Sequence, residues 1–199
     1  MLYQNKGFGS LSKTNISNCI SSQKPGFEYD YVESTVNVSF CNFENLQVTD
    51  GIITYFYNSP GRIDRCNYKN NSQNDEYFGI VSVTSKRLDI FDSSFQNNPE
   101  INKGKLFEAG NGDGKIYIHR CSIDSYSADT GSGIVYTSDQ GTESFKNNLT
   151  FLGLRPCEGN LGLVLLFIPK KENIICSLSP CVNFLFGEYH LSILLLNKQ

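Results

Sequence analysis

The sequence predicts an all-β fold, a right-handed parallel β-helix (solenoid) of about six to seven coils with 22–29 residues each. Three observations support this prediction. A phrase centred on cysteine recurs along the chain, a second aliphatic phrase recurs with the same period, and apolar residues alternate within both phrases. The composition agrees, because Asn and Ser are abundant and Ala is scarce, which disfavours helices and favours strands and turns.

The first phrase is clearest in "FCNFEN" (residues 40–45) and "RCNYKN" (residues 65–70). An apolar residue lies three positions before the cysteine, an aromatic residue two positions after it, and an Asn closes the phrase. The predicted anchors are Cys19, Cys41, Cys66, Ser93 and Cys121. Since Ser93 replaces cysteine in an otherwise intact unit, the position requires a small buried side chain. We therefore expect a reduced ladder of inward side chains, because free Cys packs as a small hydrophobe.

The second phrase has the same period, with 26–29 residues between its copies. Its copies are "DGIITY" (50–55), "FGIVSV" (78–83), "GKLFEA" (104–109), "SGIVYT" (132–137) and "LGLVLL" (161–166). Alternating apolar residues are typical of strands, and Gly, Asn, Asp and Pro turns separate the phrases. In a solenoid, equivalent residues stack at about 4.8 Å per coil. This stacking predicts an aromatic ladder of Phe43, Tyr68 and Phe95 beside an Asn ladder of Asn45, Asn70 and Asn97.

This two-phrase period resembles the right-handed parallel β-helices of the pectin-lyase-like superfamily, and within it the non-enzymatic Cys- and Asn-rich repeats of large surface proteins. The resemblance covers roughly residues 15–167. Residues 1–13 are predicted to form a poorly defined N-terminal lead, and residues 14–199 a single β-helix domain. The coils are most regular over 14–142 and degenerate over 143–199, where "CSLSPCVNF" (176–184) is the predicted last anchor.

Outward residues of the first strand supply the candidate functional site. The binding candidates, which share one face, are Arg62, Asp64, Phe91, Tyr117 and His119. Polysaccharide-cleaving β-helix enzymes carry carboxylates on such a face, so Asp64 and Asp89 are the catalytic alternative, as an acid–base pair. The "NTD", "GDD" and "GHG" motifs of the related polygalacturonases are missing, which favours a solvated, non-catalytic face with mixed charge.

Other features exclude several classes of function. The net charge of −3, with both signs scattered, gives no basic face for nucleic acid. No CxxC pair occurs and the chain has 2 His, so no metal or cofactor is predicted. The loop "GNGDGK" (110–115) is interpreted as a turn rather than a calcium site. Four sequons for N-glycosylation occur, with Asn70 expected to be the most accessible; they are Asn15, Asn37, Asn70 and Asn148.

The preferred interpretation is a non-catalytic domain or fragment that acts as a rigid spacer or as an adhesion and recognition surface. Its partner would be a protein or glycan on another surface. The N-terminus lacks the apolar core of a signal peptide, and "LGLVLLFI" (161–168) is too short for a membrane helix, so a cell-surface location requires a signal outside this chain. Uncapped coil ends also predict edge-to-edge self-association.

Overall fold

The structure is a computed structural model. It describes residues 2–22, 26–49, 51–100, 104–124, 131–138, 144–152 and 175–178. Regular structure in these residues consists of short β-strands, numbered here in chain order, and one 3-10 helix at Thr150–Leu152. None of the helices within these ranges is long and apolar enough to cross a membrane.

The strands form three sheets. Sheet A contains, in spatial order, β1 (Leu2–Asn5), β4 (Phe27–Asp30), β8 (Thr54–Tyr57), β12 (Gly79–Thr84) and β15 (Lys105–Gly110). Sheet B contains β2 (Ser10–Ser12), β5 (Val36–Ser39), β9 (Gly61–Asp64), β13 (Arg87–Phe91), β16 (Lys115–His119) and β18 (Ile134–Ser138). Sheet C contains β3 (Asn15–Ser21), β6 (Asn42–Glu44), β7 (Gln47–Val48), β10 (Asn67–Lys69), β11 (Ser72–Gln73), β14 (Ser94–Gln96), β17 (Ser122–Ile123) and β19 (Ile175–Leu178).

The chain visits sheets A, B and C in turn and then returns to A, and successive passes pair in parallel. This order confirms the predicted parallel β-solenoid. The described residues form about four coils instead of six to seven. The predicted copy at 161–166 lies outside these residues. The predicted last anchor at 176–184 is described only where it overlaps β19, which pairs antiparallel with β3 and so does not extend the parallel stack.

The structure places the first unit five residues earlier than predicted. Asn15 pairs with Asn42, so Thr14, and not Cys19, lies beside Cys41 in the anchor row. The Thr14 hydroxyl donates to the Ser12 carbonyl at 3.0 Å, as the Cys41 thiol donates to the Ser39 carbonyl at 3.3 Å. Cys19 lies beyond the next corner and is disulfide-bonded. The anchor of the first coil is a threonine, so a pattern that is defined by cysteine does not identify it.

The same shift brings the N-terminal residues into the solenoid. Residues 1–13 include β1 and β2, which pair with the next coil in sheets A and B. The segment predicted as a lead therefore carries the first coil.

The anchor row is a buried column of free cysteines and one serine. Cys41, Cys66 and Cys121 are reduced, as expected, and Ser93 stands among them. The Cys66 amide donates to the Ser93 hydroxyl at 3.1 Å, and the Cys41 and Ser93 amides donate to the sulfurs of Cys66 and Cys121, both at 3.4 Å. Cys66, Ser93 and Cys121 thus each accept an N–H from the preceding coil, which explains why Cys and Ser interchange here.

Cys66→Ser is accordingly expected to change the free energy of unfolding by less than about 1 kcal/mol, because serine keeps the acceptor. Cys66→Val fills a similar volume but leaves the buried Cys41 amide unpaired, and should destabilise the fold by about 1–3 kcal/mol. Urea unfolding of the two variants measures the difference. A valine variant as stable as the serine variant would contradict this role of the sulfur.

The aromatic ladder is confirmed and forms the centre of the core. The Tyr68 ring stacks between Phe43, at a centroid distance of 4.7 Å, and Phe95, at 4.8 Å. Both neighbours are fully buried, as is Tyr68. Gly61 occupies the row position of larger residues in adjacent coils, because a Cβ there would lie 2.5 Å from the Phe56 ring. The apolar side chains of the three sheets thus pack closely against one another in the core.

Asn residues turn the corner within sheet C. The Asn45 amide donates to Asn18 Oδ1 at 2.9 Å, and the Asn70 amide donates to Asn45 Oδ1 at 3.1 Å. Asn18, Asn45, Asn70 and Asn97 all have φ between 53° and 55°, the left-handed region that Asn tolerates better than most residues. The predicted stacking of Asn45 on Asn70 is confirmed, and the ladder extends back to Asn18.

Residues 144–149 cross the outside of sheet C instead of forming the degenerate coil that was predicted. The backbone N–H of Asn147 donates to Asn67 Oδ1, and Asn67 Nδ2 donates to the backbone carbonyl of Asn147, both at 2.9 Å. The Ser94 hydroxyl donates to the Phe145 carbonyl at 2.6 Å. This segment therefore covers the outward row of polar residues in sheet C.

Candidate functional site

The outward face of sheet B carries the candidate site. Strand register places Arg62, Asp89, Tyr117 and Tyr136 in one row, because each pairs with the next across β9, β13, β16 and β18. A second row, two residues further along the strands, contains Asp64, Phe91, His119 and Ser138. All five predicted binding residues and Asp89 thus lie on one face. We call it the sheet B face, defined by Arg62, Asp64, Arg87, Asp89, Phe91, Tyr117, His119 and Tyr136.

Four rings form two stacks on this face. The Phe91 and His119 rings are 4.6 Å apart with an interplanar angle of 13°, and the Tyr117 and Tyr136 rings are 4.7 Å apart at 14°. Their separation matches the strand spacing, since stacked residues come from adjacent coils. The rings therefore stack along the solenoid axis, and each ring covers one face of its neighbour in the adjacent coil.

Arginines cover further ring surface. The Arg62 guanidinium lies 4.1 Å from the Phe91 centroid and 3.5 Å from Asp64 Oδ2. The Arg87 guanidinium lies 4.1 Å from the Tyr117 centroid. It also binds both carboxylate oxygens of Asp89, with N–O distances of 2.8 and 2.6 Å. Such bidentate hydrogen bonds and cation–π contacts hold the long side chains in defined positions.

Asp64 and Asp89, the predicted acid–base pair, are thus each bound by an arginine. In register, Asp89 lies beside Arg62, and Asp64 lies diagonally across the strand pair, a separation of about 7–8 Å between such positions. His119 lies near the same group, with Nε2 3.7 Å from Asp89 Oδ1 and Nδ1 2.8 Å from the Ser138 hydroxyl. The arrangement is a network of ion pairs and stacked rings.

An arginine–carboxylate pair also marks the corner after sheet B. Arg120 Nε and Nη2 each lie 2.8 Å from an oxygen of Asp92 in the preceding coil. The hydrogen bond from Arg120 lowers the pKa of the Asp92 carboxyl, and the same bond raises the pKa of Arg120. This pair extends the mixed charge of the sheet B face along its edge.

Sequence reasoning missed Arg87 and Tyr136. Arg87 lies two residues before Asp89 and faces outward by strand alternation, so the pattern could have identified it. Tyr136 belongs to "SGIVYT", which was predicted as a second-phrase strand equivalent to those of sheet A. The structure places this strand, β18, in sheet B beside β16. The Gly133 amide still bonds to Ala109 of sheet A, so the chain touches sheet A and then turns into sheet B.

Sequence reasoning also missed a cleft on the outside of sheet A. Outward residues of the second phrase form the row Tyr3, Glu28, Tyr55, Ser82 and Glu108. Beside Tyr55 and Glu108 is a cleft of about 1180 Å³. The Phe78 ring packs edge-to-face on Tyr55 at 5.5 Å and forms part of its wall. Applying the alternation rule to the second phrase as well as the first would have identified Glu108.

The sequons differ in exposure. Asn37 and Asn148 are exposed, whereas Asn15 and Asn70 are half-buried. Since the Asn70 amide donates within the Asn ladder, Asn70 is less accessible than its position in a turn predicts.

A search of protein-family models found no match, and comparisons with curated proteins and with solved structures also found none. The fold itself makes the chain a parallel β-solenoid protein, and its sheet B face carries aromatic and charged side chains. Across the ranges that the structure describes, no group of three or more His, Cys, Asp and Glu residues is placed to hold a metal ion.

Proposed function

We propose that this chain is a non-catalytic recognition domain of an extracellular or cell-surface β-helix protein, and that its sheet B face binds a folded protein partner. The observation that carries this proposal is the array of stacked rings and fixed arginines on one face. Tyr and Arg are the residue types that most often dominate protein–protein binding energy. The resemblance to the non-enzymatic branch of the pectin-lyase-like superfamily agrees with this role.

The orientation of the rings favours a protein over a glycan. A sugar that stacks on an aromatic residue needs an open ring face. Here the Phe91 ring is covered by Arg62 and His119, and the Tyr117 ring by Arg87 and Tyr136. What the face presents to solvent is ring edges, charged groups and a half-exposed Tyr136. Such a mixed surface is complementary to another protein surface of mixed polarity.

The same contacts reduce the entropy lost on binding. Immobilising a long side chain at an interface costs about 0.5–1.5 kcal/mol. Arg87 is already held by Asp89 and Tyr117, and Arg62 by Asp64 and Phe91. A partner therefore meets side chains that have lost much of their freedom, which supports a recognition role for this face.

The test is binding of the fluorescently labelled chain to cultured cells, measured by flow cytometry. We expect saturable binding that trypsin treatment of the cells removes and glycosidase treatment spares. The double variant Arg87→Ser, Tyr117→Ser should bind about tenfold more weakly, the effect of losing one strong contact. The matched control is Lys13→Ser, Tyr31→Ser, which removes an exposed cation and an exposed tyrosine elsewhere.

Three outcomes would count against the proposal. Equal binding by the wild type and the Arg87, Tyr117 variant would exclude the sheet B face. Absence of saturable binding would exclude a recognition role on these cells, and binding sensitive only to glycosidase would assign the face to a glycan.

The polysaccharide-acting alternative is tested separately. It requires Asp64 and Asp89 to act as acid and base, and predicts release of new reducing ends or unsaturated uronides from a panel of polysaccharides. Asp64→Asn and Asp89→Asn should each abolish that release. Cleavage by the wild type and not by these variants would replace the recognition proposal with an enzymatic one.

A further inference from the structure

We propose that the cleft outside sheet A is a binding site for a small alkylammonium ligand, with Glu108 as its counter-ion and aromatic side chains as its walls. The cleft lies on a different face from the recognition surface, and the inference does not depend on the proposed function. It rests on the burial of one carboxylate, on the aromatic wall around it and on the charge of the lining.

The carboxylate of Glu108 is buried against glycine. Glu108 is 6% exposed, and its Oε1 lies 2.6 Å from the position that a Cβ of Gly110 would take and 2.9 Å from that of Gly131. Glycine at both positions leaves the room that the carboxylate occupies. This carboxylate has a hydrogen bond with the Ser82 hydroxyl, and the charge of Lys105 also stabilises its ionised form.

Burial raises the pKa of the Glu108 carboxyl to about 7, with Lys105 and the Ser82 hydroxyl lowering it only in part. A buried charge is unfavourable, and a cation in contact with it recovers part of the lost solvation. The cleft therefore provides a position where an incoming ammonium group gains more than it would at the protein surface.

Aromatic residues line the approach to this carboxylate. Four of them border the cleft, namely Tyr55, Tyr57, Tyr77 and Phe78. The Tyr55 ring lies 5.6 Å from Tyr57 and 5.5 Å from Phe78, and its hydroxyl shares a hydrogen bond of 2.9 Å with Thr84. Ring faces attract ammonium groups within about 6 Å, and aromatic cages are the usual recognition device for alkylated amines.

The charge of the lining has the sign that a cation requires. Among the described residues that border the cleft, Glu76, Glu100 and Glu108 are acidic and Lys105 is basic. The excess of negative charge would repel phosphates and carboxylates, and the aromatic walls would give an inorganic cation few oxygen ligands. A small organic ammonium matches both the charge and the walls.

The test is an NMR titration of the ¹⁵N-labelled full chain with choline at pH 8, with 3,3-dimethyl-1-butanol as the neutral isostere. We expect choline to shift the amides of β15 and Phe78 in a saturable manner, and the isostere to cause much smaller shifts. Glu108→Gln should weaken choline binding by about tenfold, the loss of one charge contact. Glu44→Gln, with the same charge change on sheet C, is the matched control and should not alter binding.

A second variant distinguishes the walls from the charge. Tyr55→Leu keeps the carboxylate and removes one aromatic face, so it should weaken choline binding while leaving the weak response to the isostere unchanged. Equal shifts with choline and the isostere, unchanged binding by Glu108→Gln, or no saturable shifts with choline would each overturn the proposal.

Discussion

Replacing Tyr68 with alanine is expected to lower the free energy of unfolding by about 4 kcal/mol, the typical effect of truncating a large buried aromatic residue. Tyr68 is fully buried and lies at the centre of the aromatic ladder, stacked on Phe43 and Phe95. Its hydroxyl shares a hydrogen bond of 3.3 Å with Thr54 of sheet A. Alanine removes two ring contacts and leaves a cavity between two coils.

Two controls separate the ring from its hydroxyl and from tyrosine in general. Tyr68→Phe keeps both ring contacts and should lose only about 1 kcal/mol, the net contribution of a typical hydrogen bond. Tyr77→Ala removes a side chain that is 72% exposed and should be close to neutral. Urea unfolding measures all three, and a small loss for Tyr68→Ala would mean that the coils do not stack through these rings.

The second large effect is a pH-dependent gain in stability on replacing Glu108 with glutamine. The folded protein holds the Glu108 carboxyl at a pKa of about 7, above its ordinary value of 4.5. Because the folded state binds this proton more tightly than the unfolded state, the stability linked to Glu108 is fully present below pH 4.5. It is lost as the pH rises through 7. At pH 8 the ionised Glu108 should destabilise the wild type by about 3 kcal/mol.

Glu108→Gln removes this titration, so the variant should lose less stability than the wild type between pH 4.5 and 8. The charged and titratable groups that face Glu108 are the same in both proteins, among them Glu28, Glu76, Glu100 and Lys105. Tyr55 stays neutral, since burial raises its pKa to about 12. The measurement is a series of urea unfolding curves across this pH range, with Glu44→Gln as control. Parallel pH profiles for the wild type and Glu108→Gln would contradict the buried environment of Glu108.

The repeating parts of the fold could be predicted from the sequence. Alternation within the phrases identified the strands, and the phrase around Cys41 and Cys66 gave the correct register for four coils. That register placed Arg62, Asp64, Phe91, Tyr117 and His119 on one face, and the structure confirms this placement. Local periodicity was sufficient here because each coil repeats the same contacts with its neighbours.

Features that break the repeat could not be predicted in this way. Thr14 replaces cysteine as an anchor, and β18 enters sheet B although its sequence matches the second phrase. Asn147 crosses sheet C through contacts with Asn67, which is 80 residues away. The cleft near Glu108 likewise depends on residues from separate coils. Such long-range contacts do not produce a repeating pattern in the sequence, so periodicity cannot predict them.

The stacking of coils in a single register underlies the whole account, and one distance tests it directly. Ser12 and Ser138 occupy the same row of sheet B, five strand steps apart. Spin labels attached there through ketone-bearing amino acids, which spare the native cysteines, should report a narrow distribution near 24 Å, or about 4.8 Å per step. The stacked solenoid, and with it the sheet B face, would be contradicted by a broad distribution. A distance well above about 30 Å, which is more than five strand spacings allow, would contradict it as well.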